Sequence, residues 1–357
     1  EAEAAAPSAV ARSRIADRER YHNELKARLD PTAASLNAIF DAVRAKPKRV
    51  VFVEGEEETA IRAATAFANS GYGTAILLGR EKNVCASMKK MGLSLGQNIE
   101  ITNAKLHGDT KEYVDFLYNR LQRKGALKRD CQRMVHQDRN VFAACMVAHG
   151  IGDALVTGLT RNFSSSFEEI TRVIDPRPGE LVFGISFLIS RGRTVFLADT
   201  AIHEAPTPDQ LADIATQAAG TALKFGRNPR VALLSYSNFG NPPSEWNARV
   251  RGAVAALDER KVDFEYDGEM AVNVALDGEL MAQAYPFCRL SGPANVLITP
   301  GLHSSNISTN LLHMLGGGTV IGPHLIGLAK PVQIVPMGAG VSDIVTLAAL
   351  AAYDAGH

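Results

Sequence analysis

The segment RVVFV, residues 49–53, constrains the fold of this chain more than any other feature. After its arginine it is a continuous run of β-branched and aromatic residues, which is typical of a strand that helices cover on both faces. Similar short runs at 74–78, 99–102 and 153–157 alternate with helical stretches. This alternation predicts an α/β fold with parallel or mixed sheets covered by helices.

The alternation is interrupted at residues 175–179, which read DPRPG. Two strands, 181–190 and 194–198, are predicted directly after this break. A chain of 357 residues is long enough for two domains, and a charged helical stretch at 12–29 precedes the first strand. The predicted organisation is a helical connector at 1–46, a first domain at 47–179 plus 324–357, and a second domain at 180–323.

The start of one helix is marked with particular clarity by Thr207, Pro208 and Gln210. Thr207 is expected at the N-cap and Pro208 in the first helical position, while Gln210 completes a capping box. Further helical segments are predicted at 129–149, at about 307–315 and directly after residue 320.

The stretch KPVQIVPMGAGVSDIV, residues 330–345, predicts a strand, a glycine turn and the beginning of a helix. The free N–H groups and the positive dipole end of a helix attract anions, so this arrangement can form a binding site. Asp343 is expected in the first turn of that helix, where a general base could be held. Pro336 and Met337, in the turn itself, can neither bind a phosphate nor donate a proton.

Composition argues against several other classes of protein. Lys plus Arg and Asp plus Glu both number 38, so no global charge indicates binding to nucleic acid or an anionic membrane. The 4 cysteines show no CxxC pairing and are expected to be free thiols, and the 9 histidines lack zinc-site spacings. No apolar run reaches the ~18 residues of a membrane span. The segment GGGTVIG lacks the Lys-Ser/Thr ending of a phosphate-binding loop.

Eight segments in collinear order together resemble the phosphate acetyltransferase (phosphotransacetylase) family, over roughly residues 46–357. Residues 15–47 look like the joint that follows the catalytic part of hybrid bacterial NADP-dependent malic enzymes, which carry a phosphotransacetylase-like domain at their carboxyl end. The eight segments are VFVEGEEETAIRAA, DALVTGLT, FLADTAIHEAPTPDQLADIA, ALLSYS, DFEYDGEM, GPANVLITPGLHSSN, IGPHLIGLAKPV and SDIV.

The resemblance implies an isocitrate dehydrogenase-like fold of two domains, with a cleft between them and dimerisation through the second. The family moves an acetyl group between coenzyme A and phosphate, which requires a base, an oxyanion donor and a cation for the phosphate. Its catalytic aspartate falls on Asp343, but its serine falls on Pro336 and its arginine on Met337. Four further family positions are also altered, and they fall on Glu168, Phe239, Asn273 and Gly301.

Ligand contacts are expected where strands end, as in other open α/β sheets. Asp343 is either a remnant base or an acid that stabilises its own helix. Ser304, Ser305 and Asn306 either contact coenzyme A or cap the helix that follows them. Lys330 either binds an anion or is a solvated turn residue. The candidate acetyl-CoA contacts are Thr160, Arg161, Tyr236, Asn238, Ser304, Ser305, Asn306, Lys330, Gly338 and Asp343.

The leading hypothesis is a regulatory and oligomerisation domain of an NADP-dependent malic enzyme that binds acetyl-CoA, lowers malate oxidation and has lost acetyl transfer. One alternative is an active phosphate acetyltransferase in which Arg161, the best remaining cation, binds phosphate. The other is a purely structural dimerisation domain. No cofactor is expected in this chain, whereas NADP and a divalent metal, Mg or Mn, belong to the parent enzyme domain. We expect a cytoplasmic homo-oligomer in contact with the upstream malic enzyme domain, and neither nucleic acid nor membrane as a partner.

Overall fold

The computed structural model describes residues 31–104, 110–190, 192–315 and 318–356. The helix predicted at 12–29 lies outside the described residues. The strands are β1 Lys48–Phe52, β2 Gly73–Leu78, β3 Ile99–Thr102, β4 Ala154–Thr157, β5 Phe183–Ser190, β6 Arg193–Ala198, β7 Arg230–Leu234, β8 Glu265–Met270, β9 Val296–Ile298, β10 Thr319–Ile326 and β11 Val332–Ile334.

Helices separate most of these strands. They are α1 Pro31–Ala45, α2 Glu58–Asn69, α3 Glu81–Lys90, α4 Thr110–Leu121, α5 Lys128–Gln137, α6 Arg139–Ala148, α7 Phe163–Thr171, α8 Pro208–Lys224, α9 Glu245–Arg260, α10 Val272–Leu276, α11 Gly278–Ala284, α12 Leu302–Leu315 and α13 Val341–Asp354.

Two sheets organise the chain, and together they confirm an α/β fold with parallel and mixed sheets. The first has the strand order β11-β4-β1-β2-β3 and is parallel throughout. The second has the order β10-β5-β6-β9-β7-β8. Its β10–β5 and β5–β6 pairs are antiparallel, and its remaining pairs are parallel. The proposed domain boundary at residue 324 falls inside β10, which pairs with β5 on both sides of that point.

The first sheet is covered on both faces, as the RVVFV run predicts. Val50 and Phe52 point to one face and pack in the cluster that contains Phe67 of α2. Val51 points to the other face and packs in the cluster that contains Phe142 of α6. This alternation follows from the two-residue period of a strand. The RVVFV strand therefore lies in the middle of the first core.

The two faces of the second sheet differ. Phe187 and Phe196 pack on one face in the cluster that also contains the buried residues of α8 and α9. Leu197, Leu234 and Leu297 form part of a smaller cluster with the short helices α10 and α11. This second face is only partly covered, and it borders the large cavity described below.

Several predicted boundaries are wrong, and each has a local or tertiary cause. The helix predicted over 129–149 is two helices, because the Asp138 carboxylate accepts hydrogen bonds from the backbone N–H groups of Asn140 and Val141 and so starts α6 anew. The helical stretch predicted after residue 320 is strand β10, which pairs with β5. The helix predicted from 307 begins earlier, at Leu302.

The capping box that opens α8 is confirmed. Thr207 Oγ1 accepts the N–H of Gln210 at 3.2 Å, and Gln210 Oε1 accepts the N–H of Thr207 at 2.9 Å. Pro208 occupies the first helical position. Within the described ranges, no helix is long and apolar enough to cross a membrane, and no group of three or more His, Cys, Asp or Glu side chains could hold a metal ion.

Candidate functional site

The turn between β11 and α13 has the predicted strand, glycine turn and helix order. Gly338 has a φ of 81°, a left-handed conformation that glycine adopts readily. Gly340 is the N-cap of α13, and Asp343 Oδ2 accepts its backbone N–H at 3.0 Å. Met337 is 62% exposed, and Pro336 is also exposed. This contact is the one expected of an acid that stabilises its own helix, and residues 336–340 offer neither a hydroxyl nor a cation in their side chains.

The adjacent strand β4 ends in a buried network of hydrogen bonds. Thr157 Oγ1 donates to Asn140 Oδ1 at 2.6 Å, and Asn140 Nδ2 donates to Glu169 Oε2 at 2.7 Å. Glu54, which follows β1, accepts the N–H of Gly158 at 3.0 Å. These contacts fix the ends of β1 and β4 against α6 and α7. A cavity of about 10 Å³ beside them is too small for a ligand larger than a water molecule.

Arg161 is held by two carboxylates and is not a free cation. Its Nη1 donates to Asp138 Oδ2 at 2.7 Å and to Glu169 Oε1 at 2.5 Å. The hydrogen bond to Asp138 raises the pKa of Arg161 above its ordinary value. Burial works in the opposite direction on Asp138, but the Arg161 contact leaves the pKa of that carboxyl below its usual range. The two carboxylates compensate the positive charge of Arg161, so it is a weak candidate for binding a phosphate.

The end of β1 carries a second ion pair, and it gives a prediction for acid conditions. Glu56 Oε2 lies 2.9 Å from Arg80 Nη2, and Glu56 Oε1 accepts the N–H of Arg80. The hydrogen bond from the Arg80 side chain is the main cause that lowers the pKa of Glu56 from 4.5 to about 2. A depressed folded-state pKa stabilises the protein above the unfolded value and ceases to do so as the pH falls through the folded value.

We therefore expect Glu56→Gln to lower the free energy of unfolding at pH 7 by about 1 kcal/mol, discounted for solvent screening. The difference from the unaltered chain should shrink between about pH 4.5 and pH 2 and then vanish. Urea denaturation at a series of pH values measures this. If the difference in free energy of unfolding stays constant with pH, the charge of Glu56 does not contribute to stability.

The candidate ligand contacts near the second sheet are separate from those at the end of the first sheet. Tyr236 is 65% exposed and, with Ser304, lines a cavity of about 1480 Å³. Ser304 to Asn306 do not precede a helix but lie inside the first turns of α12. Ser305 is fully buried, and its Oγ donates to the carbonyl of Leu302 at 3.0 Å. Asn306 is exposed, and its Oδ1 accepts a hydrogen bond from Asn310 within the same helix.

Asn238 has a structural contact of its own. Its Oδ1 accepts the backbone N–H of Ala271 at 2.8 Å, which ties the end of β7 to the segment after β8. Thr160 is exposed after β4 and lies on the first sheet with Arg161.

The large cavity lies between α12 and the partly covered face of the second sheet. Its floor includes Leu197, Leu234 and Leu297 from neighbouring strands. Its polar groups include Arg193 and Arg249, whose guanidinium groups donate to the carbonyls of Leu276 and Pro300. An apolar floor with a few cationic and aromatic groups at the edge is the usual composition of a ligand site. Two of the altered family positions, Asn273 and Gly301, also line it.

The two other altered positions have local partners. Glu168 forms an ion pair with Arg172 one turn away in sequence, at 2.7 Å. Phe239 packs its ring against Tyr285 and Phe287 at centroid distances of 5.1 and 4.9 Å.

Lys330 is separated from the other candidates by the length of β11. It precedes that strand, whereas Gly338 and Asp343 follow it. At about 3.3 Å per residue, the chain from Lys330 to Pro336 extends over roughly 20 Å. Lys330 lines a separate cavity of about 210 Å³. Of the ten predicted contacts, two line the large cavity, Tyr236 and Ser304, and one lines the smaller cavity, Lys330. Asn238, Ser305 and Asn306 line neither cavity, and the other four follow β4 or β11.

Sequence reasoning missed the buried carboxylate of Asp199, which follows β6. Asp199 is 2% exposed and accepts the backbone N–H groups of Gly184 and Ala201 at 3.0 and 2.7 Å. It also accepts the N–H of His203 and contacts His203 Nδ1 at 2.6 Å. The signal was present in the segment ADTAIH, because aspartate after a strand commonly bonds the backbone of the following turn.

Comparisons with known proteins agree with the α/β fold. Residues 35–352 match the family model described as phosphate acetyl/butaryl transferase. An NADP-dependent malic enzyme from Rhizobium meliloti is 55% identical over 99% of this chain, which spans 47% of that protein. A phosphate acetyltransferase from Staphylococcus aureus is 31% identical over 90% of this chain and 98% of its own length. The solved structure of a phosphotransacetylase from the same organism superimposes with a TM-score of 0.80 and 30% identity, covering 91% of this chain and 99% of that one.

Proposed function

The chain belongs to the phosphate acetyl/butaryl transferase family, and on that basis we propose that it is the regulatory and oligomerisation part of a malic enzyme. In this proposal it binds acetyl-CoA, lowers malate oxidation by the NADP-dependent enzyme domain upstream, and no longer transfers acetyl groups. The chain spans about half the length of the malic enzyme relative that it matches. NADP and a divalent metal would belong to the other half.

The observation that carries the proposal is the turn between β11 and α13. By the resemblance to the family, Pro336 and Met337 fall where it has a serine and an arginine, and Asp343 bonds Gly340 in a helix cap. Arg161, the alternative cation for a phosphate, is held by Asp138 and Glu169. A family fold without an oxyanion donor or a phosphate cation fits a ligand sensor better than a catalyst.

The large cavity is the place where the proposal locates acetyl-CoA. Its volume of about 1480 Å³ exceeds the range of common small-molecule sites. Tyr236 and Trp246 offer exposed aromatic faces for the adenine ring. Arg193 supplies a positive charge at the edge for the phosphates. The cavity at the end of the first sheet is far smaller, so the residues of the degenerate turn are not proposed as the main contacts.

Isothermal titration with acetyl-CoA tests this assignment. The double variant Tyr236→Ala/Arg193→Gln should weaken binding at least about tenfold, because it removes a stacking face and a phosphate contact. The matched control is Asp343→Asn at the degenerate turn, which should leave the affinity within about twofold. Weakening by Asp343→Asn alone would place the ligand at the turn instead. Absence of binding at about 1 mM ligand would defeat the proposal.

An exposed apolar stripe on α12 supports the oligomerisation part. Ile307, Leu311, Met314 and Leu315 are 54 to 81% exposed and recur at helical spacing. A continuous apolar stripe on a helix is unfavourable in water and is typical of a surface that a partner covers. The stripe lies within 180–323, the region proposed to form the dimer.

We expect the unaltered chain to elute as a dimer or larger assembly and Leu311→Glu/Met314→Glu to elute as a monomer, because two carboxylates would be buried at the interface. Light scattering coupled to sizing chromatography measures the mass. Leu95→Glu is the control, since Leu95 is 53% exposed on another surface. A monomeric unaltered chain would contradict this part, whereas a dimer without any response to acetyl-CoA would favour the purely structural alternative.

A further inference from the structure

A buried carboxylate contacts the loop that follows strand β7, residues 235–240, here named the β7 loop. The carboxylate is that of Glu269, which is fully buried. Its Oε1 accepts hydrogen bonds from Ser237 Oγ at 2.8 Å and from the N–H of Gly240 at 2.9 Å. The backbone carbonyl of Glu269 also accepts the N–H of Phe239, at 2.8 Å. This one residue therefore holds the β7 loop at three positions.

Further contacts tie the β7 loop to the end of β8 and to α9. The N–H of Ser235 donates to the carbonyl of Met270 at 2.9 Å, and Asn238 Oδ1 accepts the N–H of Ala271 at 2.8 Å. Ser235 Oγ donates to Oδ1 of Asn247, a buried residue of α9, at 3.0 Å. The loop is thus fixed to its surroundings along most of its length.

The backbone of Phe239 supports a functional reading of this loop. Its φ is 48°, in the left-handed region that a bulky side chain rarely adopts. Such conformations persist only where the surroundings impose them, and they are frequent at binding and active sites. The contacts of Glu269 are among those that impose it here.

Tyr236 is the exposed member of this fixed loop. Its side chain is 65% exposed, whereas Ser237 is fully buried. Tyr236 and Ser235 both line the large cavity. A tyrosine ring has only two rotatable side-chain bonds, so a fixed backbone leaves it few positions. The ring is therefore presented to the cavity with little conformational entropy left to lose on binding.

Stability alone does not explain a carboxylate at position 269. Arg251 Nη1 donates to Glu269 Oε1 at 3.2 Å, and the Arg251 side chain is 40% exposed. Taking a carboxylate out of water is unfavourable, and apolar residues of similar volume are often at least as stabilising as a buried ion pair. What the carboxylate provides, and an apolar residue would not, is an acceptor for the hydroxyl and amide of the β7 loop.

We propose that Glu269 is a positioning residue for the large cavity, which holds the β7 loop so that the Tyr236 ring is ready to stack on a ligand. This inference rests on the proposed function, in which Tyr236 offers its face to the adenine ring of acetyl-CoA. Glu269 acts through Tyr236 and does not contact the ligand. Its contribution to affinity therefore depends on the presence of that ring.

Isothermal titration with acetyl-CoA tests this dependence. Glu269→Ala should weaken binding at least about fivefold in the otherwise unaltered chain, but less than about twofold in a chain that already carries Tyr236→Ala. General loosening of the fold would weaken binding equally in both backgrounds. Equal weakening in both, or none in either, would overturn the positioning role and leave the proposed function standing. Absence of binding by the unaltered chain would instead defeat the proposed function, and this role with it.

Glu54→Ala is the matched control for loss of a buried carboxylate. Glu54 is 4% exposed and accepts the N–H of Gly158 in the first sheet. Its replacement should destabilise the chain but change the affinity for acetyl-CoA by less than about twofold. Weakening as large as that caused by Glu269→Ala would show that destabilisation alone explains the effect.

Two further measurements complete the test. Hydrogen exchange at the amides of Phe239 and Gly240, followed by mass spectrometry without ligand, should accelerate at least about tenfold in Glu269→Ala and remain unchanged in Glu54→Ala. If Glu269→Ala fails to fold, Ser237→Ala removes one contact to the loop with little change in volume. It should weaken binding about threefold, again only where Tyr236 is present, and equal weakening in both backgrounds would refute the proposal.

Discussion

Supplied with acetyl phosphate and coenzyme A, the chain should turn over at least about 10⁴-fold more slowly than the phosphate acetyltransferase relative from Staphylococcus aureus. Loss of one oxyanion donor typically lowers the rate constant about 10²–10³-fold, and loss of the phosphate cation adds to this without being strictly additive. In the proposed function, Pro336 and Met337 replace both groups in the turn before α13. The rate is measured as the formation of acetyl-CoA, which is monitored by the absorbance of its thioester.

Asp343→Asn provides the control for this prediction. If Asp343 only caps α13, the substitution should not change the residual rate and should destabilise the chain by about 1 kcal/mol or less. An unaltered chain within about tenfold of the relative, with activity that Asp343→Asn abolishes, would contradict the prediction. It would show that another cation has replaced the lost arginine and that Asp343 is a working base.

Replacement of Asp199 should have the largest effect on stability. Asp199→Ala leaves the N–H donors of Gly184, Ala201 and His203, which are buried or partly buried, without an acceptor and removes the partner of the His203 ring. We expect the free energy of unfolding to fall by at least about 3 kcal/mol, since each unsatisfied buried donor costs about 1–3 kcal/mol. Urea denaturation followed by circular dichroism measures the change.

Two further variants separate the causes. Asp199→Asn keeps one acceptor oxygen but turns an amide group towards backbone N–H donors, so its effect should be smaller than that of Asp199→Ala but still above about 1 kcal/mol. Asp263→Ala alters an exposed aspartate in the same region of the chain and should change stability by less than about 0.5 kcal/mol. Equal stability of Asp199→Ala and Asp263→Ala would refute the role of the buried carboxylate.

The parts of the fold that the sequence predicts are those with local causes. Strand β1 is recognisable because its β-branched residues are buried on both faces, and α8 because Thr207 and Gln210 bond each other across one turn. Strand β10 escaped prediction because Gly322 and Pro323 interrupt its pattern, and its identity depends on pairing with the distant β5. The early start of α12 likewise depends on a tertiary contact, since the N–H of Leu302 bonds the carbonyl of His203.

The site was predictable only in part, for similar reasons. The order of strand, turn and helix around Gly338 follows from local residues and is present. The sequence does not reveal that Asp138 and Glu169 neutralise Arg161, because those carboxylates come from α7 and from the residue before α6. Lys330 is close to Asp343 in sequence, yet β11 holds the two residues at its opposite ends. Residues that are close in sequence can thus lie in different sites.

We propose that this chain is part of a longer malic enzyme. Measurements of malate oxidation by that enzyme test the central claim most directly. The rate should fall as acetyl-CoA is added, and the Tyr236→Ala/Arg193→Gln enzyme should require at least about tenfold more acetyl-CoA for the same decrease. Without ligand, the two enzymes should oxidise malate at equal rates. A rate that acetyl-CoA leaves unchanged in the unaltered enzyme, while the titration shows that the ligand binds, would contradict a regulatory role for this domain.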